Sequence, residues 1–564
     1  MAAPLRRRDF LKTAVQTGFV LGITGPQLWT KDSSSEKDLD LIIKNGTVID
    51  GIQDKGYPSD IGLSGERIKA LGKLNKSEAK KVLDVSGKVV SPGFIDIHAH
   101  SDFEPFLNPK CESKIRQGVT TELNGNCGFS AFPVNVAKQD EERRSAERLN
   151  LEIDWTDLRG YHSRLEKNRL AVNQATLIGH GTLRSYVMGN EKREPTSPEM
   201  AQMKELAAEA MEQGAFGIST GLEYFPGSFS ETSEIIELCQ VVAKYKGLYA
   251  THIRSEDNQV IEAVAEALLI AERAQIPLQI SHLKAVGTTN WWKVPYMIDL
   301  IEKAERRGVR VTADRYPYTA YGTGLNVFFP PWALDGGLKA FVEKLKNKDI
   351  RQRMKAETLE KFKGYPWDSI VIADASQDKN RKLIGKNLQQ AADQRKMAPY
   401  ELVCDLLIEE GGDLGHFGFG MSDENTELIL KHPLVMLCSD GSALTPDGLL
   451  GQGVPHPRNY GTFPRFLGHY VREKKLISLP QAIKKMTSMP AMKMGILDRG
   501  AVKEGHYADL VIFDPATIID KATYPEPEQY PEGIDYVIVN GRIVIDHGQQ
   551  TGELPGKILR GPGK

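Results

Sequence analysis

Eight times between Gly93 and Ser442 a short apolar run stops at a polar or metal-competent side chain and gives way to a turn or a helix-like stretch. The runs lie in Gly93–His100, Val119–Gly128, Gln174–Gly181, Ala215–Leu222, Leu248–Glu256, Pro277–Ala285, Arg310–Tyr318 and Leu434–Ser442. Short apolar runs bounded this way read as buried strands, and strands alternating with helical segments read as a parallel sheet. Eight units predict a closed α/β barrel, the (β/α)8 arrangement, with any active site at the C-terminal strand ends. Ser197–Gln213 and Ser233–Tyr245 read as connecting helices. The stretch between the seventh and eighth runs, about 322–432, is too long for a βα connection and predicts an inserted subdomain or lid.

On either side of the barrel the texture changes. Leu39–Ile43, Gly46–Asp50, Asp60–Leu63, Arg67–Leu71 and Lys88–Val90 are short alternating strands separated by turn residues, and the same pattern returns in Asp509–Asp514 and Tyr536–Val544. Two β segments of like character predict one small β-sandwich domain built from both ends of the chain. The expected organisation is therefore a leader and spacer at 1–37, β structure at 38–90, the barrel with its insertion at 91–495, and β structure with a tail at 496–564.

Arg6-Arg7-Arg8-Asp9-Phe10-Leu11-Lys12 precedes a moderately apolar run and a polar spacer, matching the twin-arginine pattern that addresses folded proteins for export. A periplasmic or secreted location is expected, with no small-residue cleavage site in evidence, so that an uncleaved leader could serve as an anchor. No later apolar run is long enough to span a bilayer. With 72 Lys+Arg against 74 Asp+Glu there is no basic excess for nucleic acid, and a small-molecule partner is favoured. Five scattered cysteines argue against a disulfide framework.

The chemistry gathers at the strand ends. His98 and His100, at i and i+2, leave the same face of the first strand. Cys127, His180, His252, His282, Asp314 and Asp440 stand at equivalent points of other runs. Singly, a buried histidine is a satisfied core residue and a buried cysteine a small hydrophobe. Imidazole, thiolate and carboxylate together suit Zn2+.

The H-x-H of the first strand, the histidines of the fifth and sixth and the aspartate of the eighth resemble the metal-dependent amidohydrolase superfamily. Within it, Glu122–Gly128 (ELNGNCG), Gly179–Arg184 (GHGTLR), Gly221–Gly227 (GLEYFPG), Ile280–Lys284 (ISHLK) and Asp314–Tyr318 (DRYPY) resemble the D-aminoacylase, or N-acyl-D-amino-acid deacylase, branch. That resemblance implies zinc-dependent hydrolysis of an N-acyl-D-amino acid to a carboxylate and a free D-amino acid. It implies one tight zinc on Cys127, His252 and His282, with the cysteine where many relatives carry a carboxylated lysine, and a weaker or vacant second position near His98, His100 and Asp440. Asp440 is the implied proton carrier. The substrate's α-carboxylate calls for a cation; Lys284 is placed for it, with Tyr316 and Arg458 behind, although Arg458 reads equally as a loop salt bridge. Tyr224 lines the acyl pocket or simply packs, and His180 supports the site without ligating.

Two other readings are weaker. A cyclic-amide hydrolase of the dihydroorotase or hydantoinase kind is disfavoured by the cysteine, and a non-catalytic periplasmic binding protein by the intact ligand set. The apolar, uncharged Gly322–Trp332 segment predicts a pocket for neutral, hydrophobic D-side chains.

Overall fold

The computed structural model describes residues 38–135, 146–147 and 149–564; the twin-arginine stretch lies outside them. Its centre is the (β/α)8 barrel. The strands are β1 (Phe94–Asp96), β2 (Val119–Asn124), β3 (Asn173–Thr176, continued as Ile178–Gly179), β4 (Gly217–Gly221), β5 (Leu248–His252), β6 (Leu278–Ile280), β7 (Val311–Arg315) and β8 (Val435–Leu437). Each is parallel to its neighbour, from Phe94↔Val119 round to Arg315↔Leu437. The ring closes just past the strand ends, where Ala99 bridges Gly441 in parallel and Asp440 N donates to His98 O at 2.9 Å. These strands are buried on both faces, which is why their sequences are runs and not alternations.

The outer helices show the complementary pattern. Helix Val260–Ala274 buries Val260, Ala263, Val264, Ala267, Leu268, Ala271 and Ala274, a stripe at i, i+3, i+4 and i+7 spacing. Helix Ser197–Gln213 starts at a capping box in which Thr196 and Glu199 satisfy each other's backbone N–H.

Both chain ends build the β-sandwich. One sheet runs Arg67–Gly72, Asp60–Ser64, Leu39–Lys44, Ala79–Asp84 in spatial order; the other joins Val89–Pro92 antiparallel to Leu510–Phe513 and continues outward on both sides. Leu41, Ile43, Ile61 and Leu63 of the first sheet pack on Val90, Leu510, Ile512 and Ile538 of the second. Between β7 and β8 lies a three-stranded antiparallel sheet, Tyr321–Gly324, Gly415–Gly418 and Ile370–Ile372, with helices on it. Helix Asp423–Lys431 then leads into β8 as the other barrel helices lead into their strands.

The C-terminal tail crosses the opposite, N-terminal mouth of the barrel. Gly556 N donates to Leu170 O, Gln174 N to Lys557 O, Leu559 N to Gln174 O and Gly561 N to Gly214 O, at 2.7–2.8 Å. Arg560 reaches His162 Nδ1 at 2.9 Å and Glu166 at 3.0 Å. Each of the four backbone hydrogen bonds is worth about 0.5–1.5 kcal/mol, so deleting residues 555–564 should cost about 2–6 kcal/mol. Calorimetry is expected to show a lower melting midpoint for the truncated chain; an unchanged midpoint would show that the strap contributes nothing.

Candidate metal centre and catalytic site

Three site residues leave their strands in backbone conformations that side chains rarely adopt. Cys127, His282 and Asp440 have φ of 53°, 34° and 52°. Such residues cost about 1–3 kcal/mol each and persist only where the surroundings hold them. His282 N is held by Asp314 Oδ1 at 2.6 Å, and Asp440 N by the His98 carbonyl. Cys127 precedes Gly128 (φ 79°), where a Cβ would stand 2.6 Å from the Gly221 amide nitrogen, so the loop can pass there only with glycine.

These bends bring the strand-end side chains together. Cys127 Sγ lies 3.5 Å from His282 Nε2 and 4.0 Å from His252 Nδ1, and those two nitrogens are 3.1 Å apart. On its other side Cys127 Sγ is 3.4 Å from His98 Nε2, which is 3.3 Å from His100 Nε2. Asp440 Oδ1 completes this second group, 3.1 Å from His100 and 3.3 Å from His98. Two donor sets therefore share one sulfur: Cys127, His252 and His282, and Cys127, His98, His100 and Asp440.

The residues fit zinc. A tetrahedral ion with bonds of about 2.0–2.1 Å to nitrogen and about 2.3 Å to sulfur sets its ligand atoms about 3.3–3.6 Å apart, and the first set spans 3.1–4.0 Å. Thiolate character is provided for as well. Burial pushes the Cys127 thiol up, but the charge on His98 and hydrogen bonds from His100, His252 and His282 outweigh it and hold the thiol well below its ordinary range.

A second row of side chains surrounds the donors. His282 Nδ1 is 2.9 Å from Glu256 Oε1, His252 Nε2 is 3.2 Å from Glu223 Oε2, and His98 Nδ1 is 3.4 Å from Asp314. Lys284 Nζ sits 2.6 Å from Glu256 and 2.7 Å from His282 Nδ1. Arg458 NH1 donates to Asp440 Oδ2 at 2.6 Å. Burial pushes the Asp440 carboxyl up; the charges of Arg458, His282 and His98 reverse this and hold it well below the carboxylate range, so it is ionised. Lys114 anchors the floor: its buried ammonium reaches Asp96 and Ser439 at 2.8 Å and Glu122 at 3.0 Å.

A cavity of about 570 Å3 opens above the donors, lined by His100, Cys127, His282, Asp440, Tyr224 and Arg458 among others. A narrower recess beside it is lined by His252, Lys284, Tyr316, Glu223 and Glu256. The structure thus gathers Cys127, His252, His282, His98, His100 and Asp440 at one point, and sets Lys284, Tyr316, Arg458 and Tyr224 around it. The Tyr224 ring lies against His252, tilted by 52° with ring centres 4.5 Å apart. Lys284 and Arg458 stand 5.7 and 5.0 Å from the centre of the Tyr316 ring, whose hydroxyl has no hydrogen-bond partner among the described residues. His180 is engaged by Glu234 at 2.7 Å and stands outside both donor sets. Glu223 and Glu256 were not singled out by sequence reasoning; the signal was Glu256 four residues beyond His252 and Glu223 two beyond the end of β4.

Residues 81–342 and 424–545 match the profile of the Amidohydrolase family. The chain is 35% identical over 532 residues to a D-aminoacylase of Alcaligenes xylosoxydans xylosoxydans, covering 93% of this chain and 98% of that protein. It is 35% identical over 528 residues to an N-acyl-D-aspartate deacylase of the same organism, covering 92% and 95%. The crystal structure of N-acyl-D-glutamate deacylase from Bordetella bronchiseptica, complexed with zinc and a phosphonate mimic of the tetrahedral intermediate, superposes with a TM-score of 0.79 at 32% identity, over 93% of this chain and all of that one. A cysteine-centred donor set at the mouth of a (β/α)8 barrel, together with this match along most of its length, makes the chain a member of the amidohydrolase family and a hydrolase.

Proposed function

We propose that the enzyme hydrolyses the amide bond of N-acyl-D-amino acids, giving a carboxylate and a free D-amino acid, with Zn2+ as its metal. The observation that carries this reading is the shared Cys127 sulfur with its two donor sets under the cavity, in a chain 35% identical to a D-aminoacylase. Cys127, His252 and His282 are the tight site; His98, His100 and Asp440 offer a second, weaker position. Bound there, zinc supplies a Lewis acid for the amide carbonyl and lowers the pKa of water.

The protein's own groups then divide the work. Asp440, ionised and aimed by Arg458, takes a proton from the attacking water and returns it to the leaving nitrogen. Two buried donors, Arg458 Nε and the Tyr316 hydroxyl, have no hydrogen-bond partner among the described residues, and a substrate α-carboxylate would satisfy them. Lys284 adds positive charge 5.7 Å from the Tyr316 ring while its ammonium is shared with Glu256. Tyr224, beside His252, lines the cavity that receives the acyl group.

Two substitutions separate the roles. Cys127→Ala should lose both zinc, read by elemental analysis after dialysis, and activity. Asp440→Asn should lower kcat by about 10²–10⁴ while the tight zinc stays. A Cys127→Ala protein with a full zinc complement, or an Asp440→Asn enzyme within a few-fold of the parent, would overturn the assignment.

The cavity wall supports a preference for neutral, hydrophobic D-side chains. Phe129, Phe225, Val327, Leu334, Leu444 and Val454 line it, and among its described lining residues Arg458 is the sole lysine or arginine, already bonded to Asp440. Lys361, in the recess, lies 3.6 Å from Glu223. An acidic side chain would be desolvated without an uncommitted cation, a cost of about 1–3 kcal/mol. N-acetyl-D-leucine or D-methionine should therefore exceed N-acetyl-D-glutamate and D-aspartate in kcat/KM by about tenfold or more; the reverse order would refute this.

The twin-arginine pattern of Arg6–Lys12 supports export of the folded enzyme to the periplasm or beyond. Cell fractionation should find the parent outside the cytoplasm and an Arg7→Lys, Arg8→Lys variant inside it; equal distribution of the two would exclude this route.

A further inference from the structure

His252 and His282 turn different ring nitrogens toward the sulfur. His252 presents Nδ1, leaving Nε2 to Glu223 at 3.2 Å and Glu256 at 3.9 Å, both of them acceptors. His282 presents Nε2, leaving Nδ1 between an acceptor, Glu256 Oε1 at 2.9 Å, and a donor, Lys284 Nζ at 2.7 Å. A neutral imidazole has one N–H, and only its other nitrogen can ligate. For His282 Nε2 to face a metal, Nδ1 must carry the proton, so its hydrogen bond has to run to Glu256. An ammonium has three donors and no acceptor, and would force the opposite tautomer if it bonded Nδ1. Lys284 has alternatives: Glu256 Oε1 at 2.6 Å and the His282 carbonyl at 3.2 Å.

We propose that Glu256 is a tautomer lock: one carboxylate accepts the Nδ1–H of His282 and at the same time draws the Lys284 ammonium off that nitrogen, keeping Nε2 bare for zinc. Glu256 is suited to this by place: it leaves the chain just past β5, carrying His252, and reaches across to the residues following β6. Its backbone carbonyl is fixed by Val286 N at 2.7 Å, and it is 7% exposed, so the carboxylate has little room to leave. It is a positioning residue that acts through His282. Glu223 does the simpler half of the task for His252: its Oε2 faces the ring at 3.2 Å, and Lys361 stands on its other oxygen at 3.6 Å. This inference rests on reading Cys127, His252 and His282 as the zinc set.

Zinc affinity of the full-length protein, measured by competition with a chromophoric chelator, tests it. Glu256→Gln should weaken zinc binding by about 10–100-fold, the range seen when the outer partner of a metal-ligating histidine is lost. Lys284→Met should stay within about threefold of the parent. In the double variant affinity should recover to within about threefold as well, because the introduced amide carbonyl can accept Nδ1–H once the competing donor is gone. Glu223→Gln should cost less than Glu256→Gln. Parent-like affinity in Glu256→Gln would overturn the lock, and so would a double variant as weak as the single one, which would mark Glu256 as merely structural. If the single variant gives no cooperative thermal transition, Glu256→Gln in the Lys284→Met background decides: a loss there of tenfold or more overturns the proposal. A parent that binds zinc no better than Cys127→Ala would instead sink the reading of the zinc set itself.

Discussion

The rest of this site depends on one half-buried sulfur having to face four imidazoles. Nitrogen and sulfur lone pairs crowded within 3.1–4.0 Å, with His98 fully buried, are costly to hold together and call for charged partners on their far sides. Charged side chains stand behind three of the four rings and behind the carboxylate: Asp314 3.4 Å from His98, Glu256 behind His282, Glu223 behind His252, and Arg458 behind Asp440. None of these partners comes from the same strand as the group it supports, apart from Glu256's more distant oxygen beside His252. Two of these pairs, Glu223 with His252 and Glu256 with His282, join adjacent strand ends, where the parallel register of the barrel puts them in reach.

How legible this was in the sequence follows from the same geometry. A barrel brings all C-terminal strand ends to one rim, so His98, His100, Cys127, His252, His282 and Asp440 could be grouped without knowing any distance. Glu223 and Glu256 were hidden because a glutamate just past a strand ordinarily belongs to solvent. Lys114 was hidden more deeply: nothing in the short segment Glu112–Ile115 tells that its lysine turns inward to Asp96 and Glu122 under the site. Arg458 read equally as a substrate anchor and as a loop salt bridge, and its bond to Asp440 makes it a partner of the proposed proton carrier. The β-sandwich was legible in the matching alternation at both chain ends, whereas the sheet inside the insertion was not, its strands being only three or four residues long.

The insertion and the barrel contribute different things to the cavity. The barrel rim supplies the charged floor, and the insertion, through Val327, Leu334 and Phe417, supplies apolar wall. The metal-competent groups thus stand on the barrel rim, while part of the apolar wall stands on the added element.

The small domain carries a consequence for the order of events during synthesis. Lys88 is paired with Asp514 across 426 residues of chain, and Val89–Pro92 has its sheet neighbour in Leu510–Phe513. The first sheet, made within the opening 84 residues, thus leaves the ribosome with Leu41, Ile43, Ile61 and Leu63 turned toward a partner that does not yet exist. Contacts of such separation form late and slowly. Through most of translation the nascent chain displays an apolar sheet face open to chaperones and proteases, and it can bury that face only after the whole barrel has emerged.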